Sequence, residues 1–485
     1  MRYIQGEDCG QTTFVPICLD DYITEDSICR VIAAYVENLD IAGLGFKYAE
    51  TRNTGRPPYN PILMLMLYLY GYLNRIRSSR RLEAEARRNI EVMWLLGNLT
   101  PDDKTICNFR KDNAKALKKV FREFSLWCNQ QGLYGKELVG VDGSKTRANC
   151  SRHNIYTQKK VEKEVASVEQ KIDEYMKALE DNDAAEASEE TLSKETIQEI
   201  LNRFNEKKET LKEQLIKIEA NGGKEISTVD PDAHIMHQGG DGRSLDACYN
   251  VQAVVDAKHK LIVDFDVSTC PDDKGALPKM TESAKEIMGI EEISVVADKG
   301  YYDGEDIEQC EENGTTCYVP KLKDTAHLPD RNYDRSHFRY NKEADCYTCP
   351  EGEKFMFTGN NKRGNRVVDK LYTNPKACRN CKNHDLCTIN KQGRKLYREP
   401  HQGALDTVNA RMLTDEARQT FRERKKLVEH PFGTTKSIWG YRQFLCRGQE
   451  KTTAEQSLTF LAYNFRRVFN IFKKNGDNLM TAMVK

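Results

Sequence analysis

Three acidic residues stand where a carboxylate can do chemistry. The stretch "LVGVDGSKTRAN" runs from an apolar strand onto Asp142, with Gly143 next. "EISVVADKGYYD" is a second short apolar run, ending on Asp298. "RERKKLVEHPFGTTK" sets Glu429 on a strongly basic helix that Pro431 and Gly433 are expected to interrupt. Singly, each has an ordinary use. Asp142–Gly143 suits a hairpin turn, Asp298 can cap the helix after Asp303, and Glu429 can pair with Lys425 one turn back. Together, two strand-end aspartates and a helical glutamate are expected to converge on one cleft. Three oxygen donors suit one or two Mg2+ or Mn2+ ions that keep open positions for water and phosphate. Paired ions activate a water or a 3′-hydroxyl and stabilise the leaving oxygen of an in-line displacement. The cations around Glu429 would then hold nucleic-acid phosphates.

A second constellation is made of thiols. "DCYTCPEGEKF" and "ACRNCKNHDLC" give C-x2-C, a gap of 28 residues, then C-x2-C-x5-C. Two CxxC pairs clamp a tetrahedral Zn2+ from two sides. The expected ligands are Cys346, Cys349, Cys378 and Cys381, with Cys387 as the alternative fourth; the other reading is free surface thiols. The segment reads as a small knuckle that touches DNA.

Charge is distributed to match. The formal net charge is zero, from 74 basic and 74 acidic residues, but it averages unlike segments. Residues 52–122 hold 15 Lys or Arg against 6 Asp or Glu, and residues 159–219 hold 11 against 17. The first imbalance fits a polyanion partner, or an ordinary solvated face. Within it, "RIRSSRRLEAEARRN" places Arg77, Arg80, Arg81, Arg87 and Arg88 at helical spacings, and Arg77, Arg80 and Arg81 are the candidate DNA contacts. The start has no apolar leader, and "PILMLMLYLYGYL" is too short to span a bilayer, so no membrane is expected. With 16 cysteines, the expected compartment is the reducing cytoplasm.

The elements that must position these residues follow from periodicity. Residues 60–132 read as helices, with an N-cap at Thr100 or Asp102. Val161, Val165, Val168, Ile172, Tyr175 and Leu179 recur at heptad spacing, as do Ile197, Leu201, Phe204, Leu211, Leu215 and Ile218, with Lys208 interrupting. That predicts an antiparallel coiled-coil hairpin, turning at "EDNDAAEASEE". "YNVQAVVDAKHKLIVDFDVST" predicts a β-hairpin, followed by a helix around 275–288, a strand to Asp298, the helix "GEDIEQCEEN" and the strand "TTCYVP". The last helix, with Arg466 and Arg467, reads as core packing. Tyr301, Tyr302 and Trp439 read as core before they read as base-stacking groups.

At this point the chain resembles a family. "LVGVDGSKTRAN", "VVADKGYYD" and "RERKKLVEHPFGTTK" are similar to the three acidic motifs of DDE transposases from bacterial insertion sequences, most of all the insertion-sequence eleven-eighty-two family. "RPPYNPILMLMLYLYGYLNRIRSSRRLEAEARRN" resembles their N-terminal domain. The resemblance spans roughly residues 10–475. It implies an α/β protein with a ribonuclease H-like catalytic core and the triad Asp142, Asp298 and Glu429. Arg424 and Lys436 match the Arg and Lys of the third motif, while Phe421 stands where a Tyr is common. The implied organisation is a helical DNA-binding domain at 1–133, the core at 134–157 and 224–323, and the coiled-coil insertion at 158–223. A Cys-rich zinc insertion at 324–400 and a C-terminal helical part of the core at 401–485 complete it. The implied function is binding of terminal inverted repeats, then metal-dependent strand cleavage and strand transfer, by a homodimer on double-stranded transposon-end and target DNA. The alternatives are an inactive or repurposed DNA-binding protein, or a metal-dependent nuclease.

Overall fold

The computed structural model describes residues 18–50, 57–184, 194–220, 222–223, 225–238, 244–321, 330–363 and 366–484. These form two compact units, one of residues 1–124 with 435–485 and the other of residues 125–434. The segment 401–485 is divided between the two units after Thr434.

The first unit is helical. Pro61–Leu73 starts with proline at its first position, and the Asn60 side chain accepts from Ile62 N at 2.9 Å. It is buried nearly all round, as its uniform apolarity requires. Asp102 caps Asp103–Asp112 by accepting from Thr105 N at 2.6 Å, which settles the choice between Thr100 and Asp102. The helix Gln449–Asn475 buries Leu458, Phe460, Leu461, Tyr463 and Phe465, the core role expected of it. No helix among the described residues is long and apolar enough to cross a membrane.

The second unit is built on a six-stranded sheet. Its strands are β1 (Leu138–Arg147), β4 (His234–Gln238), β5 (Ser244–Asp256), β6 (Ile262–Ser268), β7 (Ile293–Val296) and β8 (Thr315–Tyr318), while β2 (Ile155–Tyr156) and β3 (Ile226–Ser227) form a separate pair. β5 pairs antiparallel with β1 on one side and with β4 and β6 on the other. β1 pairs parallel with β7, and β7 parallel with β8. β1 does not end at Asp142. It continues through Arg147 because β5 pairs with it from Val139↔Asp256 to Arg147↔Cys248, so Asp142 lies mid-strand and Asp142–Gly143 is no turn.

The helix Asp415–Phe432 crosses this sheet. At Gly140 an added Cβ would stand 2.6 Å from Val428 Cγ1, so the helix approaches β1 more closely than a side chain there would permit. Pro431 does not end this helix as expected. Lacking an N–H to give Leu427 O, it is followed by a wider π-helical turn, Gly433–Ile438, that continues the winding.

The predicted hairpin forms from Gln158–Ala184 and Lys194–Ala220. Val161, Val168, Leu211 and Ile218 make its own buried seam, and Lys208 reaches across to Glu169 at 2.8 Å. Part of the expected turn, 185–190, lies outside the described residues. The Cys-rich segment is more than a knuckle. It is a five-stranded antiparallel sheet of β9 (Arg339–Asn341), β10 (Cys346–Thr348), β11 (Lys354–Arg363), β12 (Arg366–Thr373) and β13 (Lys395–Arg398), in the order β13-β12-β11-β10-β9. Phe338, Tyr347, Phe355, Tyr372 and Leu396 give it a core of its own. The polar tips of β11 and β12, and the register shift at Gly359, hide the alternation by which strands are read.

Candidate active site

The parallel pairing of β1 with β7 stops at Gly140↔Val296, so Asp142 and Asp298 both lie just beyond the end of that ladder. Asp298 caps the single turn Lys299–Tyr301, accepting from Gly300 N at 2.7 Å. The helix Gly304–Glu312 is capped by Asp303 instead, so Asp298 is not the cap of that helix. Asp142 is held by Gly143 N at 2.9 Å and faced by Arg424 Nη1 at 3.6 Å from Oδ2. Burial pushes the Asp142 carboxyl up to about 6; Arg424 pulls it down, and Asp298 and Asp273 push it up. Three carboxylates are therefore close enough to oppose one another's charge.

Asp273 was not anticipated. It belongs to the polar loop "CPDDKG" before the helix Ala276–Met288, and nothing in its spacing singled it out. Its Oδ1 accepts from Asn250 Nδ2 at 2.8 Å and Gln252 Nε2 at 2.7 Å, and Lys145 Nζ lies 3.4 Å away. Buried Tyr301 donates its hydroxyl to Gln252 Oε1, fixing the amide's orientation. A Cβ on Gly300 would stand 2.9 Å from Asp298 Oδ1 and 3.2 Å from Asp273 Oδ2, so the two carboxylates flank one point. Gly143 is similarly hemmed, with Gln252 Nε2, Asp273 Oδ1 and Asn250 Oδ1 at 2.5, 2.9 and 3.1 Å from an added Cβ. A signal did exist in the sequence. Asn250 and Gln252 are polar residues at a spacing of two inside the apolar run of β5, which a purely structural strand would avoid.

Asn250 is fully buried, and its Oδ1 has no hydrogen-bond partner among the described residues. A buried carbonyl oxygen left bare, on an amide bonded to Asp273, adds a neutral oxygen to the carboxylates of this region, the donor type a hard cation takes. The residues therefore fit a divalent ion in chemistry. As the side chains stand, no three His, Cys, Asp or Glu donors among the described residues are gathered around one point.

Glu429 is on the helix that carries Arg424, exposed, and its carboxylate makes no hydrogen bond or ion pair among the described residues, so the alternative pair with Lys425 is not formed either. The structure thus brings together Asp142, Asp298, Asp273 and Arg424, and does not bring Glu429 into contact with them. Tyr302 is half-buried and accepts from Asn409 Nδ2 at 2.8 Å, while Trp439 packs edge-on to Tyr441.

The basic candidates diverge. Arg77 is committed within its own unit: it pairs with buried Glu455 at 3.0 Å, donates to Gln443 O at 2.9 Å and covers the Tyr441 ring at 4.3 Å. Arg80 is 87% exposed in its side chain, with a long 3.4 Å pair to Asp103, and Arg81 is exposed. Arg87 and Arg88 pair with Glu83 and Glu85 on their own helix. Lys436 lies in the π-helical turn.

Comparison with known proteins adds the family dimension. Residues 17–112 match the family model described as "Transposase domain (DUF772)", and residues 348–469 match "Transposase DDE domain". The second match takes in Arg424, Glu429 and Lys436; Asp142 and Asp298 lie outside it. Both matches support a DDE transposase. No curated protein matches the chain. Among solved structures, the cryo-EM structure of a piggyBac transposase synaptic complex with hairpin DNA is similar at 9% identity, covering 95% of this chain and 79% of that one, with a TM-score of 0.30.

Proposed function

We propose that this chain is a DNA transposase of a bacterial insertion sequence, of the eleven-eighty-two type, working through a ribonuclease H-like core. The observation that carries this reading is the approach of Asp142, Asp273 and Asp298 to one another at one end of a sheet in which two parallel strands, β7 and β8, extend four antiparallel ones. The two transposase-domain matches support it independently. In this reading the protein binds the terminal inverted repeats of its element in the cytoplasm, as a homodimer on DNA. It cuts the strands at the element's ends and joins the 3′ ends to target DNA.

Asp142, Asp298 and Asp273 would hold Mg2+ or Mn2+, with Asn250 Oδ1 as a neutral oxygen and Glu429 as the helical carboxylate of the set. When bound, such ions supply charge stabilisation for the attacking and leaving oxygens of phosphoryl transfer. The chain's own residues prepare that chemistry. Arg424 favours the charged form of Asp142, the form that ligates. Tyr301, Gln252 and Asn250 fix Asp273 by a relay of hydrogen bonds, so its Oδ2 stays turned toward Asp298. Lys145 stands beside them as a cation for a phosphate. Arg80, Arg81 and Lys436 would contact the DNA backbone and set its register without reading sequence.

The test is a supercoiled plasmid carrying the element's ends, incubated with the protein and Mg2+. Insertion products are expected. Cleavage without insertion would make the protein a nuclease, and shifted but uncut DNA would make it a binding protein. Asp142→Asn, Asp298→Asn and Glu429→Gln should each abolish cleavage while end binding persists, because binding rests on many dispersed phosphate contacts. Asp273→Asn should reduce cleavage roughly 10- to 100-fold, the usual cost of disturbing a ligand or its support. Any of these variants that cleaves normally is struck from the site.

A further inference from the structure

The Cys-rich sheet holds a cavity of about 30 Å3 whose wall includes Cys349, Cys378, Cys381, Cys387 and His384. That is room for a single ion or water. A water there needs two to four polar partners, and sulfur atoms are poor ones. They are good ligands for a soft or borderline cation.

The backbone presents these thiols from tight turns. Gly352 N donates to Cys349 O at 2.9 Å, and Gly352 takes a φ of +89°, closing a turn just after Cys349. Cys381 N donates to Cys378 O at 3.2 Å and His384 N to Cys381 O at 3.2 Å, winding the second CxxC around the cavity. Gly393 passes so close that an added Cβ would stand 2.8 Å from Cys378 Sγ, and the next backbone N–H, of Arg394, points at that sulfur. Cys349 and Cys387 both pack against the buried cluster that contains Cys378, so these thiols share one side of the sheet's core. The imidazole of His384 has Nδ1 3.0 Å from Asp385 Oδ1, while its Nε2 is buried with no partner among the described residues.

Cys346 is excluded by the strand it sits on. Neighbouring residues of a strand face opposite ways, and Tyr347 is the one that joins the aromatic core against which Cys349 and Cys387 pack. Cys346 lines no part of the cavity.

We propose that Cys349, Cys378, Cys381 and Cys387 bind one structural Zn2+, with Cys346 outside the site. Zn–S bonds of about 2.3 Å require side-chain rotation of the four thiols inward, into a cavity already between them. Four thiolates fill a tetrahedron and leave no position for water, so the ion braces the sheet and takes no part in strand cleavage. His384 lines the same cavity and lies outside the proposed ligand set.

The full-length protein, purified without chelators from zinc-supplemented cells, should carry about one Zn2+ per chain by elemental analysis. Cys349→Ser and Cys387→Ser should each lose it and expose residues 339–398 to protease, while Cys346→Ser and Asp142→Asn keep a full equivalent. Replacing the zinc with Co2+ should give the absorption of a four-thiolate tetrahedral ion, and His384→Ala should leave that spectrum in place. Zinc-free wild-type protein would overturn the site. Loss of zinc in Cys346→Ser, retention in Cys387→Ser, or a three-thiolate spectrum that His384→Ala abolishes would overturn this ligand set. All of these readouts are made without DNA, so they stand apart from the outcome of the cleavage assay.

Discussion

Asp142 shows how much a single residue depends on its surroundings. Its folded-state pKa of about 6 lies above the unfolded value near 3.8, with burial as the first cause. A carboxyl raised in this way binds its proton more tightly when folded. Its favourable contribution is complete below pH 4 and is lost as pH rises through 6. Above that the charged carboxylate strains the metal-free fold by about 2–3 kcal/mol. Asp142→Asn is therefore expected to raise the melting temperature of chelator-treated protein at pH 8, with the gain shrinking toward zero by pH 4. Thermal melts across that range check it, and a variant destabilised at pH 8 would mean that Arg424 outweighs burial. Asp142 was legible in the sequence as an acid after an apolar run, and Asp273 was not. Asp273 becomes part of the site because Asn250 and Gln252, distant in sequence, turn their amides onto it.

At the scale of elements, the coiled-coil hairpin is the most self-contained piece. Its seam is buried between its own two helices, and the short β2–β3 pair, Ile155↔Ser227 and Tyr156↔Ile226, closes its base. Heptad spacing made this element readable, because two helices need only each other to bury a stripe. Replacing residues 158–223 with a short flexible linker should leave the sheet intact and the protein soluble, since β1 and β5 do not draw on that seam. The loss should appear in assembly on transposon ends, seen as a missing higher-order band in gel shifts. Aggregation of the deletion, or full transposition activity, would count against the hairpin as an assembly arm. The helix Asp415–Phe432 teaches the reverse. Its proline reads as a stop, yet packing of Leu427 and Val428 over Gly140 holds the helix past it.

At the scale of the whole molecule, net charge says little and placement says more. Arg80, held only by a long pair to Asp103, and Arg81 are exposed, whereas Arg77 supports Glu455. Arg80→Ala and Arg81→Ala should each reduce the slope of log K against log salt by about 1, equally for specific and random DNA. Arg77→Ala should instead lower stability by about 3 kcal/mol, because it strands a buried carboxylate, with little change in the salt slope. Filter binding across salt concentrations, with parallel denaturant melts, separates the two effects.

What the sequence determined alone were features carried by local pattern: helix starts with their caps, the hairpin seam, the β5–β6 turn, and acids at the ends of apolar runs. These rest on interactions within a few residues or on strict periodicity, so they survive without knowledge of the fold. Tertiary structure decided what depends on contacts between distant segments. It decided that Asp142 lies mid-strand, that Asp273 joins Asp298 around Gly300, and that Arg77 faces inward. It also decided that Cys387, and not Cys346, stands with the other thiols. A strand's alternation gives each residue one of two faces, and only the partners packed on each face determine which one holds the chemistry.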